Sequence, residues 1–418
     1  MSDIYTEGLL RRLLDAAIAA ADPSVVLAAH LPEKPKGRCI VVGAGKSAAS
    51  MARAVEKAWP DVPLSGVVVT RTGHSLPTEH IEVREAAHPV PDAAGAKAAE
   101  EIMALVAEAG PDDLILALIS GGGSALTPMP KPPLTFDELV TVNKRLLSSG
   151  LSINEMNRVR RRLSLIHGGG LARAAGKSRI VTLAISDVPG DDPSAIASGP
   201  TVPDPTQDCD LSYLLGKLGP ELPAAAAQLL SGGHEETPLR KVDFRLIATP
   251  QKSLEAAAKI AEESGVSALI LGDAIEGEAR ELGIAMAGIA ISAAKHHRPL
   301  TPPMVVISGG ETTVTIGEAP PGRGGRNMEF LLSLAIALEG HPQITAIAAD
   351  TDGIDGTEPA AGALITPTFL AEAKLRGLSP RDQLQNHDSY TILEQLGALV
   401  VTGPTLTNVN DFRAVLVT

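Results

Sequence analysis

CIVVGAGKSAASMARAV, residues 39–55, carries an apolar strand into a glycine turn and from there directly into a helix. Gly43 and Gly45 permit the tight turn, and the first turn of the helix offers unpaired N–H groups to an anion. Gly43-Ala44-Gly45-Lys46-Ser47-Ala48 fits the dinucleotide spacing G-x-G-x-x-A. It fails as a Walker A loop, because the glycine required five residues before Gly45 is absent. A dinucleotide site also asks for an acid at the end of the following strand. That strand ends Val69-Thr70-Arg71, which disfavours NAD and leaves NADP only weakly permitted. Lys46 is placed to set a point charge on a phosphate. An ordinary strand-to-helix turn is the plain alternative for this segment.

The same grammar repeats outward along the chain. Strands are predicted at Arg38–Val42, Gly66–Thr70, Leu114–Ile119 and Arg179–Ile185. A second set follows at Phe244–Ala248, Ala268–Leu271, Met304–Ile307, Ile344–Ala349 and Ala398–Thr402. Ala-rich helical stretches separate them, the pattern of parallel strands joined by crossover helices, so the expected class is α/β. In such sheets ligands bind at the carboxyl ends of the strands. A chain of 418 residues exceeds one ordinary core, and two α/β domains are expected. The boundary is read in SGGHEETP, residues 231–238, giving domains 1–235 and 236–418. The last strand, Ala414–Val417, is compatible with either domain's sheet, and TPMPKPPLT (127–135) reads as a proline-rich surface loop.

Hydrophobic residues make up 44% and aromatics only 2%, so the core must be aliphatic. Few aromatics and a net charge of −13 count against nucleic-acid binding, which relies on stacking platforms and a basic surface. Two cysteines, Cys39 and Cys209, make neither a disulfide framework nor a zinc site. The N-terminal amphipathic helix carries acids and no small-residue cleavage site, and no stretch approaches the roughly 18 apolar residues of a membrane span. A cytoplasmic protein without membrane or nucleic-acid partners is expected.

Further loops carry chemistry. LISGGGSALTP (118–128) places Ser120, Gly121, Gly122, Gly123 and Ser124 after a buried strand, a backbone-lined anion cradle of the nest type. INEMNRVRRRLSLIHGGGLARAA (153–175) has helical spacing and puts Arg158, Arg161 and Arg162 on one connected face suited to a carboxylate or phosphate. Solvated arginines are the bland explanation. ISDVPGDDPSAIASGPTVPD (185–204) sets Asp187, Asp191 and Asp192 around a glycine turn, as a Mg²⁺–nucleotide site or a proton acceptor requires. Aspartates are also common turn caps.

In the second half, residues 307–332 place Ser308–Glu311 after a strand and bring Arg323 and Arg326 to a helix start, where arginine can neutralise a transferring phosphoryl group. AADTDGIDGTEPAAGA (348–363) offers Asp350, Asp352 and Asp355 without the terminal glutamate of a calcium loop. TGPTLTNVNDF (402–412) is a polar turn between two apolar runs, with a hairpin link as its plain reading. His74, His80 and His88 lack ligand spacing, although His88-Pro89 reads as a shaped loop. GGGSAL does not supply the G-x-S-x-G elbow of a hydrolase.

Together GAGKSAASMA, AHPVPD, SGGGSAL, NRVRRRLSLIHGGGLA, SDVPGDDPSAIASGPT, SGGETTV, GRGGRNMEF, DTDGIDG and TGPTLTNVNDF resemble, in order and across positions 40 to 412, the glycerate 2-kinases of the MOFRL type. The resemblance implies a larger N-terminal Rossmann-like three-layer α/β domain, a smaller C-terminal MOFRL α/β domain and a cleft between them. It implies ATP, Mg²⁺ and D-glycerate, giving 2-phosphoglycerate and ADP. By motif, Lys46 is the functional lysine of GAGKS and Arg326 the arginine of GGRN.

Asp187 and Asp191 are chosen as metal ligand or base on chemical grounds, with Asp187, Asp192 and Asp352 as the metal set. Gly43, Gly45 and Ser120 through Ser124 are expected to hold the nucleotide, and Arg158, Arg162 and Arg323 the substrate carboxylate. His167 and Leu406 stand where a lysine and a small residue are expected, which leaves substrate preference open. Family members also carry the name hydroxypyruvate reductase, and the G-x-G-x-x-A turn keeps an NAD(P)H-dependent reductase as the alternative. A non-catalytic phosphometabolite sensor would keep the glycine loops but not need the acids. A homodimer is the base-rate expectation.

Overall fold

The computed structural model describes residues 3–232, 239, 242–317, 320 and 322–418, so the boundary predicted at residue 235 lies outside the described residues. Apolar runs at regular intervals form the first sheet: β1 (Cys39–Ala44), β2 (Leu64–Arg71), β3 (Ile81–Ala86), β4 (Leu114–Ile119), β5 (Arg179–Ile185) and β6 (Asp243–Ala248), in the order β3-β2-β1-β4-β5-β6. β1 runs parallel to β2 and β4, β2 to β3, and β4 to β5. CIVVGA and LILALI are buried at every position, as expected of central parallel strands covered on both faces.

Contacts divide the chain into two compact units, Pro23–Ile247 and Met1–Asp22 with Ala248–Thr418. Two features differ from the sequence reading. Phe244–Ala248, read as opening the second set, belongs to the sixth strand of the first sheet, where Phe244 and Leu246 pack on that sheet's aliphatic core. The helix Asp3–Ala19 packs within the second unit, with Leu9, Leu10, Leu13 and Leu14 buried against Leu254, Ala257, Val305 and Ile307.

The second unit holds β7 (Ser267–Gly272), β9 (Met304–Ser308), β11 (Ile344–Asp350), β12 (Gly362–Ile365), β13 (Leu399–Val400) and β14 (Asp411–Val417), ordered β13-β12-β11-β14-β9-β7. β8 (Gly277–Glu278) and β10 (Thr312–Thr313) form a separate parallel pair. The larger sheet is mixed where parallel strands were expected: β11 is antiparallel to β12 and β14, β14 is antiparallel to β9, and β7 runs parallel to β9. β14 lies between β11 and β9 in the middle of this sheet, so residues 402–412 do not link a hairpin. Among the described residues no single helix is long and apolar enough to cross a membrane.

Candidate active site

Register sets Ala44, Ile119 and Ala184 abreast, so the loops after β1, β4 and β5 leave the first sheet at one level. Strand order reverses between β1 and β4, and the crevice at such a switch point is where an open α/β sheet binds its ligand.

The two glycine loops there differ in what they leave available. In the first, Gly45 N donates to Val69 O (3.0 Å), Lys46 N to Gly121 O (2.9 Å) and Ala48 N to Gly45 O (3.1 Å). Ser47 N donates to Ser120 Oγ at 3.0 Å. The helix start read as an anion site therefore has these four amides occupied. Gly43 and Gly45 serve close packing, since a Cβ on Gly43 would overlap the Leu118 carbonyl and one on Gly45 the Ser120 hydroxyl. In the second loop, the amides of Gly121, Gly122 and Ser124 make no hydrogen bond among the described residues. Gly122 has φ +81, and the loop presents these amides as a nest does.

Around this loop the fold gathers several of the predicted residues. A Cβ on Gly122 would meet His88 Cδ2 at 3.1 Å and Lys46 Cγ at 3.7 Å. The Asp187 carboxylate lies directly against Gly121, occupying the space a side chain there would need. Asp191, four residues on, holds φ +55, a conformation that non-glycine residues keep only where the surroundings enforce it. Asp192 is exposed and caps its own turn, Oδ1 accepting from Ser194 N at 2.8 Å. Ser124 Oγ lies 2.7 Å from Ser198 Oγ.

The arginine helix, Ile153–Leu163, starts at a capping box of Ser152 and Glu155. Its predicted substrate residues are not brought to the loop by any bond they make. Arg158 donates to the Tyr213 hydroxyl at 3.2 Å. Arg162 is buried and donates to the carbonyls of Gly232, Gln207 and Cys209. Arg161 closes a buried ion pair with Asp204 at 2.7 Å. Sequence reasoning missed the residues that do connect to the loop: Asn157, Arg160 and Ser198. Arg160 Nη1 donates to Asn157 Oδ1 at 3.1 Å, and Ser198 Oγ donates to the same oxygen at 3.2 Å. His167, 4% exposed, has its pKa pushed down to about 3 by burial and by the charges of Arg160 and Arg161.

In the second unit Arg326 opens the helix Arg326–Leu338 and bonds three carboxylates: Asp411 Oδ1 (2.8 Å), Asp350 Oδ2 (2.8 Å) and Glu311 Oε1 (2.9 Å). Burial works against its charge, but Asp411, Asp350 and Glu311 more than reverse that and hold the guanidinium protonated. Asp411 is also gripped by Asn327 Nδ2 (2.7 Å) and by fully buried Arg413. Asp355 accepts from the amides of Asn327 and Met328, yet burial raises its pKa to about 6 against those bonds. Arg323 pairs with Glu358 at 2.6 Å and stacks on Tyr390, 4.2 Å from the ring centre. Asp352 is buried and accepts from Ile354 N at 2.9 Å.

Among the described residues no group of three or more histidines, cysteines or carboxylates is arranged to hold a metal ion. Of the predicted metal set, Asp187 and Asp192 belong to the first unit and Asp352 to the second, so the three are not a cage within either unit. Mg²⁺ needs no such cage: it takes one or two carboxylates together with phosphate oxygens. Asp187, beside free amides, fits that requirement.

A family model described as "Domain of unknown function (DUF4147)" matches residues 9–231, and one described as "MOFRL family" matches residues 304–411. A putative hydroxypyruvate reductase of Agrobacterium vitis is 56% identical over 418 residues, all of this chain and 95% of its own. The D-glycerate 2-kinase of Thermotoga maritima is 39% identical over 402 residues, covering 96% of this chain and 95% of its own. The crystal structure of a Thermotoga maritima glycerate kinase superposes with a TM-score of 0.89 at 37% identity, over 99% of this chain and all of that one.

Proposed function

The chain belongs to the MOFRL-type glycerate kinase family, and from that premise we propose that it is an ATP-dependent glycerate 2-kinase, transferring the γ-phosphoryl group to the C2 hydroxyl of D-glycerate with Mg²⁺. The observation that carries this reading is the triple-glycine loop: three free amides at the switch point, with Lys46 beside Gly122 and Asp187 against Gly121. Phosphoryl transfer asks the protein mainly for positioning and charge neutralisation, and this loop supports both.

In the proposed reaction the amides of Gly121, Gly122 and Ser124 bind phosphate oxygens, and Lys46 adds a point charge. Asp187 would hold Mg²⁺, which when bound would neutralise charge on the β- and γ-phosphates. Asp191 is the proposed acceptor for the proton of the C2 hydroxyl as its oxygen bonds to phosphorus and the bond to ADP breaks. Arg326, kept protonated by its carboxylates, is the proposed catalytic arginine of the second unit.

The name borne by the Agrobacterium vitis relative favours a second reading, an NAD(P)H-dependent hydroxypyruvate reductase. The occupied amides of Gly45, Lys46 and Ser47 count against it, because a pyrophosphate would need them. Arg71 at the end of β2, where a ribose-binding acid belongs, counts against it as well.

The test is purified protein with D-glycerate, ATP and Mg²⁺, following ADP and the phosphorylated product, beside hydroxypyruvate with NADH or NADPH. Glycerate-dependent ADP release with 2-phosphoglycerate as product is expected. Cofactor oxidation without ADP release would replace the kinase by the reductase.

A further inference from the structure

Of the four arginines between Arg158 and Arg162, Arg161 pairs with a buried carboxylate, Arg162 donates to three backbone carbonyls and Arg158 donates to a tyrosine hydroxyl away from the triple-glycine loop. Arg160 is the one whose hydrogen bonding leads towards that loop. Among the described residues its one hydrogen bond goes to the neutral Asn157 side chain, and no carboxylate pairs with it. Its side chain is half-buried, which lowers its pKa, but a guanidinium stays charged in proteins, so a partly desolvated cation has no carboxylate partner among the described residues.

Other groups adjoin Arg160. His167 lies nearby, 4% exposed, with neither ring nitrogen hydrogen-bonded. Asn157, 3% exposed, is fixed by Arg160 and by fully buried Ser198, and Ser198 continues to Ser124 at the end of the triple-glycine loop. Ala197 and Ser198 hold φ of +48 and +58 to make that link, strain that persists only where neighbouring structure over-determines it.

We infer that Arg160 binds the carboxylate of the hydroxy-acid substrate, with Asn157 and Ser198 as positioning residues that tie it to the phosphate-binding loop; this rests on the kinase reading above. A carboxylate suits the site better than a phosphate. A guanidinium is a planar fork matched to two carboxylate oxygens, and neutral His167 adds no second charge. Polyanionic phosphate already has Lys46 and three free amides.

The experiment compares wild type with R160Q, R160K and S198A as full-length protein. It measures initial rates against D-glycerate and against ATP, and calorimetric binding of D-glycerate alone. R160Q is expected to raise both the KM and the Kd for glycerate about 10- to 100-fold, the range for a hydrogen bond to a charged group. Its KM for ATP should stay unchanged. R160K should recover part of the loss, since lysine keeps the charge but not the fork. S198A should move glycerate affinity the same way by less.

A rise confined to the KM for ATP, or unaltered glycerate affinity in folded R160Q, overturns the assignment. Should R160Q fail to fold, R160K and S198A are read on the same scale. If wild type releases no ADP with glycerate, the kinase reading fails by itself. Calorimetry with D-glycerate and hydroxypyruvate then decides Arg160 independently: weaker binding by the variants upholds it, while equal binding or none by wild type overturns it.

Discussion

At position 167 an imidazole is buried where neither nitrogen finds a partner, and this imposes a pH dependence of definite sign. The unfolded chain takes up a proton there near the ordinary pKa of 6.5, while the folded chain holds off until about 3. Between those values the unfolded state binds more protons, so stability is complete above about pH 6.5 and is lost as pH falls, by up to about 1.4 kcal/mol per unit. His167→Leu should flatten this slope. Urea midpoints between pH 4.5 and 7.5 would show it, and an unchanged slope would refute the burial account. Lys46 belongs to the same scale but to function. Lys46→Ala should lower kcat/KM by about 10²- to 10³-fold, typical for one group stabilising transition-state charge, with no change in midpoint. Wild-type turnover in that variant would remove Lys46 from the mechanism.

At the scale of elements, the two glycine loops predict opposite consequences from one kind of substitution. A Cβ on Gly43 falls on the Leu118 carbonyl of the paired strand, where backbone cannot yield. Gly43→Ala should therefore cost about 1–3 kcal/mol or more of stability. A Cβ on Gly121 falls on the Asp187 carboxylate, the far end of a side chain and not backbone, so the side chain must shift. Gly121→Ala should keep the urea midpoint and lower kcat at least about tenfold, by analogy with loss of one catalytic electrostatic contact. Loss of stability in both variants would show that the two loops do not differ in this way.

The sequence made one loop as good a phosphate site as the other, because spacing reveals a turn but not whether its amides are already bonded. LILALI and RIVTLAI were legible to the residue as β4 and β5, since continuous apolar runs bounded by polar loops have few other readings. IEVREA was not: three charges in six residues hide an edge strand that buries only its ends. Nor was the pairing of Arg326 with Asp411, 85 positions apart, or the passage from Arg160 through Asn157 to Ser198, because local patterns carry no distance across the chain.

For the whole molecule, the division of the chain turns on the helix Asp3–Ala19. Leu9, Leu10, Leu13, Leu14 and Ala17 recur at helical spacing, a stripe that announces burial without naming the partner. Contiguity assigns the stripe to the residues that follow it, whereas the structure packs it on Leu254, Ala257, Ala261, Val305 and Ile307. Four leucines buried there contribute roughly 6–12 kcal/mol at about 1.5–3 kcal/mol each, an upper bound that is comparable to the whole stability of a domain. Leu10→Ala should thus cost about 2–5 kcal/mol, and the loss should be local. Native-state hydrogen exchange should lose protection in β9 and in residues 254–261, while β1 and β4 keep theirs. Protection lost first in β1 and β4 would return the helix to the unit that follows it in sequence.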